Sequence, residues 1–375
     1  MLIDSFVALV VCRLILLAAC TSQFTTMNIW NMEIVGPNWR SFAGVVVQFG
    51  WVFGLLVLNL GAYLIRSWVY LALLMACPTV VFLGFVLLIP ESPRWLLNKN
   101  HSERAMLVLK DIAKVNKVAS FEDSVMEGLV EKYSTTGDAA SHVSQEKSIT
   151  EVFKSRIMLV RLIILCLNWV VCTMVYYGIA LNMASLIEGD IFLNFFLNAL
   201  LEGIGFALIA ATIDKLGRKL VFCFSIIVSG LSCLATMVPV LVESDDQWIN
   251  IVLSNIGRFS MNVAFGVVYF LTMELFPTGV RNSALSFCSG LGRLGSLVSP
   301  YIGNLHVLVG GKLGKTLPLV IFGGAGLFAG CLSIYLPEPN GKNLPETIKE
   351  AEAMRKIGRD RPIELCDRLT TVEKI

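Results

Sequence analysis

Four charged residues stand in stretches otherwise apolar enough to cross a bilayer: Arg13, Glu202, Arg258 and Arg293. A charge at the centre of a membrane helix costs roughly 2.5–3.5 kcal/mol on insertion scales, so each must be paired or put to use. Arg293 falls nine residues into the apolar run that starts at Ala284, ~14 Å at a rise of 1.5 Å per residue, about half of a ~30 Å hydrocarbon core. Arg258 and Glu202 reach similar depth. Three positive charges against one negative favour an anionic or zwitterionic ligand. The competing reading is a structural ion pair, Arg293 with Glu202 or with an acid elsewhere; for Arg258 and Arg13 that reading is preferred. Around Glu202 the polar residues recur with helical period: Asn194, Asn198 and Glu202 lie four apart and share one face. Asn168, Cys172 and Tyr176 repeat that spacing, Trp169 lies seven before Tyr176, and Phe265 and Tyr269 stand on another run. Aromatic rings beside a polar stripe suit an amphipathic organic ion, through stacking or cation–π contact. Interhelical packing with Asn as the adhesive explains the same pattern. The rings would also serve a cation.

The elements that position these residues follow from composition. The 375 residues carry 15% charged and 55% apolar side chains, with mean hydropathy +0.72. Soluble domains carry roughly 25% charged residues, so the sequence predicts an all-α polytopic membrane protein rather than a soluble enzyme. A net charge of +2 offers nothing to nucleic acid. Ten cysteines show no CxxC pairing, which argues against zinc and against a disulfide framework. Neither a phosphate-binding glycine loop nor a catalytic triad appears, so neither an enzyme nor an ATP-driven pump is expected, and no cofactor or metal is implied. Nine runs are long enough to span: 5–31, 42–65, 68–89, 159–182, 190–213, 220–242, 249–272, 284–308 and 317–336. The domain reading is 1–89 as a three-span remnant of an N-terminal half, 90–157 as a cytoplasmic linker with short helices, 158–336 as a six-helix C-terminal half and 337–375 as a cytoplasmic tail. An amphipathic helix is expected over 103–116, with Ser102 as its N-cap. Putting 90–157 and the tail inside leaves only Arg66, Lys312 and Lys315 outside, which satisfies the positive-inside rule.

The chain repeats itself. Met32-Glu33-Ile34-Val35-Gly36-Pro37-Asn38-Trp39-Arg40 parallels Met273-Glu274-Leu275-Phe276-Pro277-Thr278-Gly279-Val280-Arg281, with Glu and Arg seven apart in both. Two spans later Pro90-Glu91 parallels Pro337-Glu338. Arg13 and Arg258 precede their glutamates by 20 and 16 residues, a difference of about one helical turn. Two homologous halves follow. The second half holds 115 residues before Glu274, counted from Leu159, and the first only 32 before Glu33. By symmetry at least 83 residues, or three helices, are absent from the first half. The nine spans then correspond to helices four to twelve of a twelve-helix transporter, and the N-terminus, which nine spans alone would put outside, returns inside.

These motifs resemble the organic cation/anion/zwitterion transporter family of the major facilitator superfamily. Pro90-Glu91-Ser92-Pro93-Arg94-Trp95-Leu96-Leu97, Tyr176-Tyr177-Gly178-Ile179-Ala180-Leu181-Asn182, Asp214-Lys215-Leu216-Gly217-Arg218-Lys219, Glu274-Leu275-Phe276-Pro277-Thr278-Gly279-Val280-Arg281-Asn282 and Arg293-Leu294-Gly295-Ser296-Leu297-Val298-Ser299-Pro300 carry the resemblance. It implies the major-facilitator fold and alternating access. Family members that carry cations hold an acid where Arg293 falls, and anion and zwitterion members an arginine. The resemblance also implies that Glu33 with Arg40, Glu91 with Arg94, Asp214 with Arg218 and Glu274 with Arg281 close an inner gate; helix capping is the alternative role. The expected function is secondary active or facilitative transport of small organic ions, leaning to organic anions or carnitine-like zwitterions, in the plasma membrane. Expected substrate contacts are Arg293, Glu202, Asn198, Asn194, Tyr176, Trp169, Tyr269 and Phe265. The partners are the substrate and the lipid bilayer; self-association into a homo-oligomer is left open. A truncated non-transporting isoform with a binding or regulatory role, a sugar or polyol porter and an organic cation transporter are the rival readings.

Overall fold

The computed structural model describes residues 6–36, 39–98, 101–117, 149–186, 191–242, 247–342, 344–345 and 347–354. Among them the regular structure is helical. Long helices are α1 (Phe6–Ile34), α2 (Arg40–Leu64), α3 (Trp68–Leu88), α7 (Arg156–Leu186), α8 (Ile191–Leu216), α9 (Arg218–Val242), α10 (Gln247–Leu275), α11 (Thr278–Gly303) and α13 (Gly311–Ser333). Short ones are α4 (Pro93–Asn98), α5 (Ser102–Val115), α6 (Ile149–Lys154), α12 (Leu305–Val309) and α14 (Ile348–Ala353). Among the described residues, seven segments are long and apolar enough to cross a membrane. α11 is the least apolar of the nine long helices, because its first turns hold Arg281, Asn282 and Ser283.

Each expected span is matched by one long helix, with shifted bounds. The run 284–308 is a helix from Thr278 to Gly303, followed by a separate short helix. Hydropathy starts a span where apolar residues start, whereas the backbone starts it after Pro277, which occupies the N-cap. Arg293 is consequently fifteen residues into a 26-residue helix, ~22 Å along, still near its middle. Pro78, Pro239, Pro300 and Pro318 all lie inside helices. The amphipathic helix is found one residue early: α5 begins at Ser102, His101 occupies the N-cap position, and no side chain caps it.

The chain forms two compact units, Met1–Val47 with Phe53–Lys147, and Gln48–Val52 with Ser148–Ile375. In the first, α1 buries only Thr25, Asn28 and Met32, all toward its C-terminal end, and shows Phe6, Val7, Leu14 and Leu17 on its surface. An apolar exterior of this kind is what lipid solvates. In the second unit α7 packs along α11, and α9 packs along both α10 and α13. α7 also touches α10 and α13, and α8 leans on α10.

Small residues make the α7–α11 seam. A Cβ on Gly295 would collide with the Val170 carbonyl oxygen and Thr173 Oγ1, so only glycine fits there. Thr173 donates its hydroxyl to the Gly292 carbonyl, and Ser299 donates to the Met174 carbonyl at 2.8 Å.

Candidate functional site

The acid of the polar stripe sits at the heart of the second unit. Glu202 is 2% exposed. Tyr176 of α7 donates its hydroxyl to Glu202 Oε1 at 2.6 Å, and Arg258 Nη2 of α10 lies 3.3 Å from the same oxygen. Asn262, one turn beyond Arg258, donates Nδ2 to the Glu202 carbonyl at 3.2 Å. Gly205 makes this crossing possible: a Cβ there would stand 2.8 Å from Asn262 Nδ2. Of the rest of the stripe, Asn198 spends its amide on the Asn194 carbonyl at 2.8 Å, and both residues are half-buried.

The aromatic residues from α7 and α10 form one cluster. Tyr176 and Phe265 stack at 5.8 Å between centroids with planes 18° apart. Trp169 meets Phe265 and Tyr269 edge-on at 5.8 and 4.5 Å, and Phe265 meets Tyr269 at 5.7 Å. Trp169 and Tyr269 are buried, and the Trp169 indole donates to Thr272 Oγ1 at 3.0 Å. They form the supporting layer, while half-buried Phe265 and Tyr177 form the outer one. Tyr177, edge-on to Tyr176 at 5.3 Å, was legible only as part of a motif.

Arg293 behaves differently. It is exposed, and its side chain makes no ion pair with Glu202. Among the described residues no side-chain hydrogen bond or ion pair of Arg293 is found. Arg13, on α1, is exposed as well.

The residues expected to form an inner gate are divided between the two units. In the second, Gly217 adopts φ +92°, a conformation natural to glycine, and lets the chain turn from α8 into α9. Arg218 opens α9 and ties several elements together. It pairs with Asp214 at 2.9 Å and with Glu274 of α10 at 3.0 Å, and donates Nη1 to Asn340 Oδ1. Glu338 receives the backbone N–H groups of Arg218 and Lys219, both at 2.9 Å. A carboxylate there satisfies the orphan donors of the helix and its positive end. Arg281 is buried and donates Nε to the Met273 carbonyl at 2.7 Å and Nη2 to Thr278 Oγ1 at 3.4 Å. In the first unit Glu33 accepts the Ser92 hydroxyl at 2.6 Å, and the Trp30 indole donates to the Pro90 carbonyl at 2.9 Å. Glu91 is exposed; the side chains of Arg40 and Arg94 lie outside the described residues.

Sequence reading missed Glu338 and Asn340 as partners of Arg218, although the Pro337-Glu338 repeat mark pointed to the first. It also missed buried Arg161, which donates to the Ala351 and Glu352 carbonyls and anchors α14 to α7. Nothing in the local pattern around Arg161 gives that away, because the carbonyls it binds are at least 190 residues distant.

A bundle of long apolar helices with a buried ion pair, a ring cluster and helix-end charge networks defines a multi-pass membrane protein of the transporter type. Residues 1–346 match the sugar (and other) transporter family, and the chain belongs to it. It is 31% identical over 347 residues to the organic cation transporter protein of Drosophila melanogaster, covering 92% of this chain and 61% of that one. It is 35% identical over 324 residues to human solute carrier family 22 member 2, and 34% over 322 to rat solute carrier family 22 member 3. These cover 86% of this chain and 56% and 55% of theirs. The chain thus spans less than two thirds of the length of these relatives. Its fold is that of the major facilitator superfamily proton:xylose symporter XylE, with TM-score 0.69 at 19% identity, over 88% of this chain and 70% of that one. Family membership sets the chain among transporters rather than enzymes.

Proposed function

We propose that the protein carries small organic ions across the plasma membrane by alternating access, and that organic anions or zwitterions are its preferred substrates. One observation carries the preference. Glu202 is already neutralised by Arg258 and bonded by Tyr176, whereas Arg293, at similar depth, is exposed and makes no side-chain ion pair among the described residues. The buried acid is spent within the fold, and the guanidinium remains to meet a carboxylate or sulfonate. Phe265 and Tyr177 supply aromatic faces for the organic part of such a substrate. An ammonium group on a zwitterion would rest against the same rings. The helix-end networks around Arg218 and Glu338 are of the kind that break and reform between two states. A cation preference is the second reading, supported by the Drosophila relative's name.

The test is uptake by vesicles carrying the protein expressed from its complete transcript. The substrates are an aryl carboxylate, a quaternary-ammonium carboxylate, tetraethylammonium and a pentose. The proposal predicts saturable uptake of one or both carboxylates, competed poorly by the pentose and by tetraethylammonium. Uptake of tetraethylammonium alone would reverse the preference. No uptake of any of the four would favour a binding or regulatory role.

A further inference from the structure

Cys166 of α7 and Cys288 of α11 bring their sulfurs within 3.5 Å of each other, both as free thiols. Each lies ten residues from the start of its helix, at Arg156 and Thr278. The two sulfurs are therefore level with each other in a seam whose next contacts are Trp169 with Gly292 and Val170 with Gly295. Cys288 is fully buried, and Cys166 keeps 9% exposure. Buried cysteines are ordinarily small apolar fillers, and Cys172 and Cys233 fit that description. Two thiols in van der Waals contact across a helix seam have an additional chemistry open to them.

We propose that Cys166 and Cys288 form a dithiol oxidation site, converted by a hydroperoxide into a disulfide that clamps α7 to α11. One thiol, as thiolate, attacks a peroxide oxygen and becomes a sulfenic acid. With hydrogen peroxide the leaving oxygen departs as water. The second thiol attacks the sulfenic sulfur, forms the S–S bond and expels a second water. Two thiols lose two electrons and two protons, and one peroxide takes up both to become two waters. Hydrogen peroxide is little larger than water, and Cys166, at 9% exposure, is the more accessible of the two thiols.

The bond draws the sulfurs from 3.5 Å to about 2 Å. Just beyond the pair the backbones of α7 and α11 already touch at Gly295, which acts as a fulcrum. Closing the seam below the fulcrum turns α11 about it. Arg293 is five residues beyond Cys288, and Trp169 is three beyond Cys166. The clamp thus acts on the helix that carries the guanidinium and on one of the two that carry the ring cluster, and it is reversible by reduction.

The experiment treats vesicles carrying the wild-type chain with hydrogen peroxide, blocks remaining thiols with N-ethylmaleimide, and digests the protein for mass spectrometry. The expected product is a peptide pair linking Cys166 to Cys288, lighter by two hydrogens. Uptake should fall several-fold and return with dithiothreitol. In Cys288→Ala and in Cys166→Ser, each checked for a monodisperse gel-filtration profile, uptake should no longer respond to peroxide. Recovery of both residues alkylated, while exposed Cys12 or Cys331 is oxidised, overturns the proposal. So does a quantitative crosslink that leaves uptake unchanged, or equal loss of uptake in both variants. The uptake arm rests on the transport reading; the crosslink arm stands without it.

Discussion

Burying Glu202 at 2% exposure is tolerable because Tyr176, Arg258 and the Trp51 indole, the last at 3.2 Å from Oε2, reach its carboxylate. Removing one partner of such a pair strands the other, at a cost of about 3–5 kcal/mol, whereas replacing both by neutral groups of similar size is far milder. Arg258→Met should therefore lower the thermal unfolding midpoint sharply, and Glu202→Gln with Arg258→Met should recover most of the loss. Unfolding midpoints of the three variants in one detergent check this; a double variant no better than Arg258→Met would show that the two charges do not act as a unit. The sequence made this site half legible. Spacing put Asn194, Asn198 and Glu202 on one face, and hydropathy flagged Arg258 as needing a partner. Which arginine takes Glu202 was not legible, because the choice depends on how α8 and α10 cross. Gly205 sets that crossing by admitting Asn262. Likewise Trp169 and Tyr269 read from spacing as ligand contacts, but burial makes them the support for Phe265.

Helix ends and seams decide the next scale. Glu338 caps the first turn of α9 from a segment more than a hundred residues later, and Gly217 has no room for a side chain beside it. Caps of this kind are worth about 0.5–2 kcal/mol. Glu338→Ala should lower the unfolding free energy by an amount in that range and the midpoint with it, with Glu338→Gln less severe since one oxygen acceptor survives. Equal midpoints for wild type and Glu338→Ala would remove the cap from the account. At the α7–α11 seam, Gly295→Ala forces a methyl against a carbonyl and should cost about 1–3 kcal/mol, while Gly290→Ala, with nothing within 4 Å, should be near neutral. Urea or thermal titration of the two variants separates them. The spans themselves were legible from apolar runs alone. Their starts were not: hydropathy began α11 six residues late, since Arg281 is buried by hydrogen bonds to Met273 and Thr278 and not by apolar character.

At the scale of the molecule, the repeat of Glu33 to Arg40 and Glu274 to Arg281 points to two related halves. Each compact unit has polar contacts at its helix ends, Ser92 with Glu33 in one and Arg218 with Asp214, Glu274 and Glu338 in the other. Membership of a transporter family accounts for the bundle, and the charge distribution within it accounts for the substrate preference proposed here. That preference turns on Arg293. The most direct test is uptake of an aryl carboxylate and of tetraethylammonium by wild type and Arg293→Asp in the same vesicles, with equal protein at the membrane. The account predicts that carboxylate uptake falls at least tenfold and tetraethylammonium uptake rises. Unchanged carboxylate uptake in Arg293→Asp would contradict it.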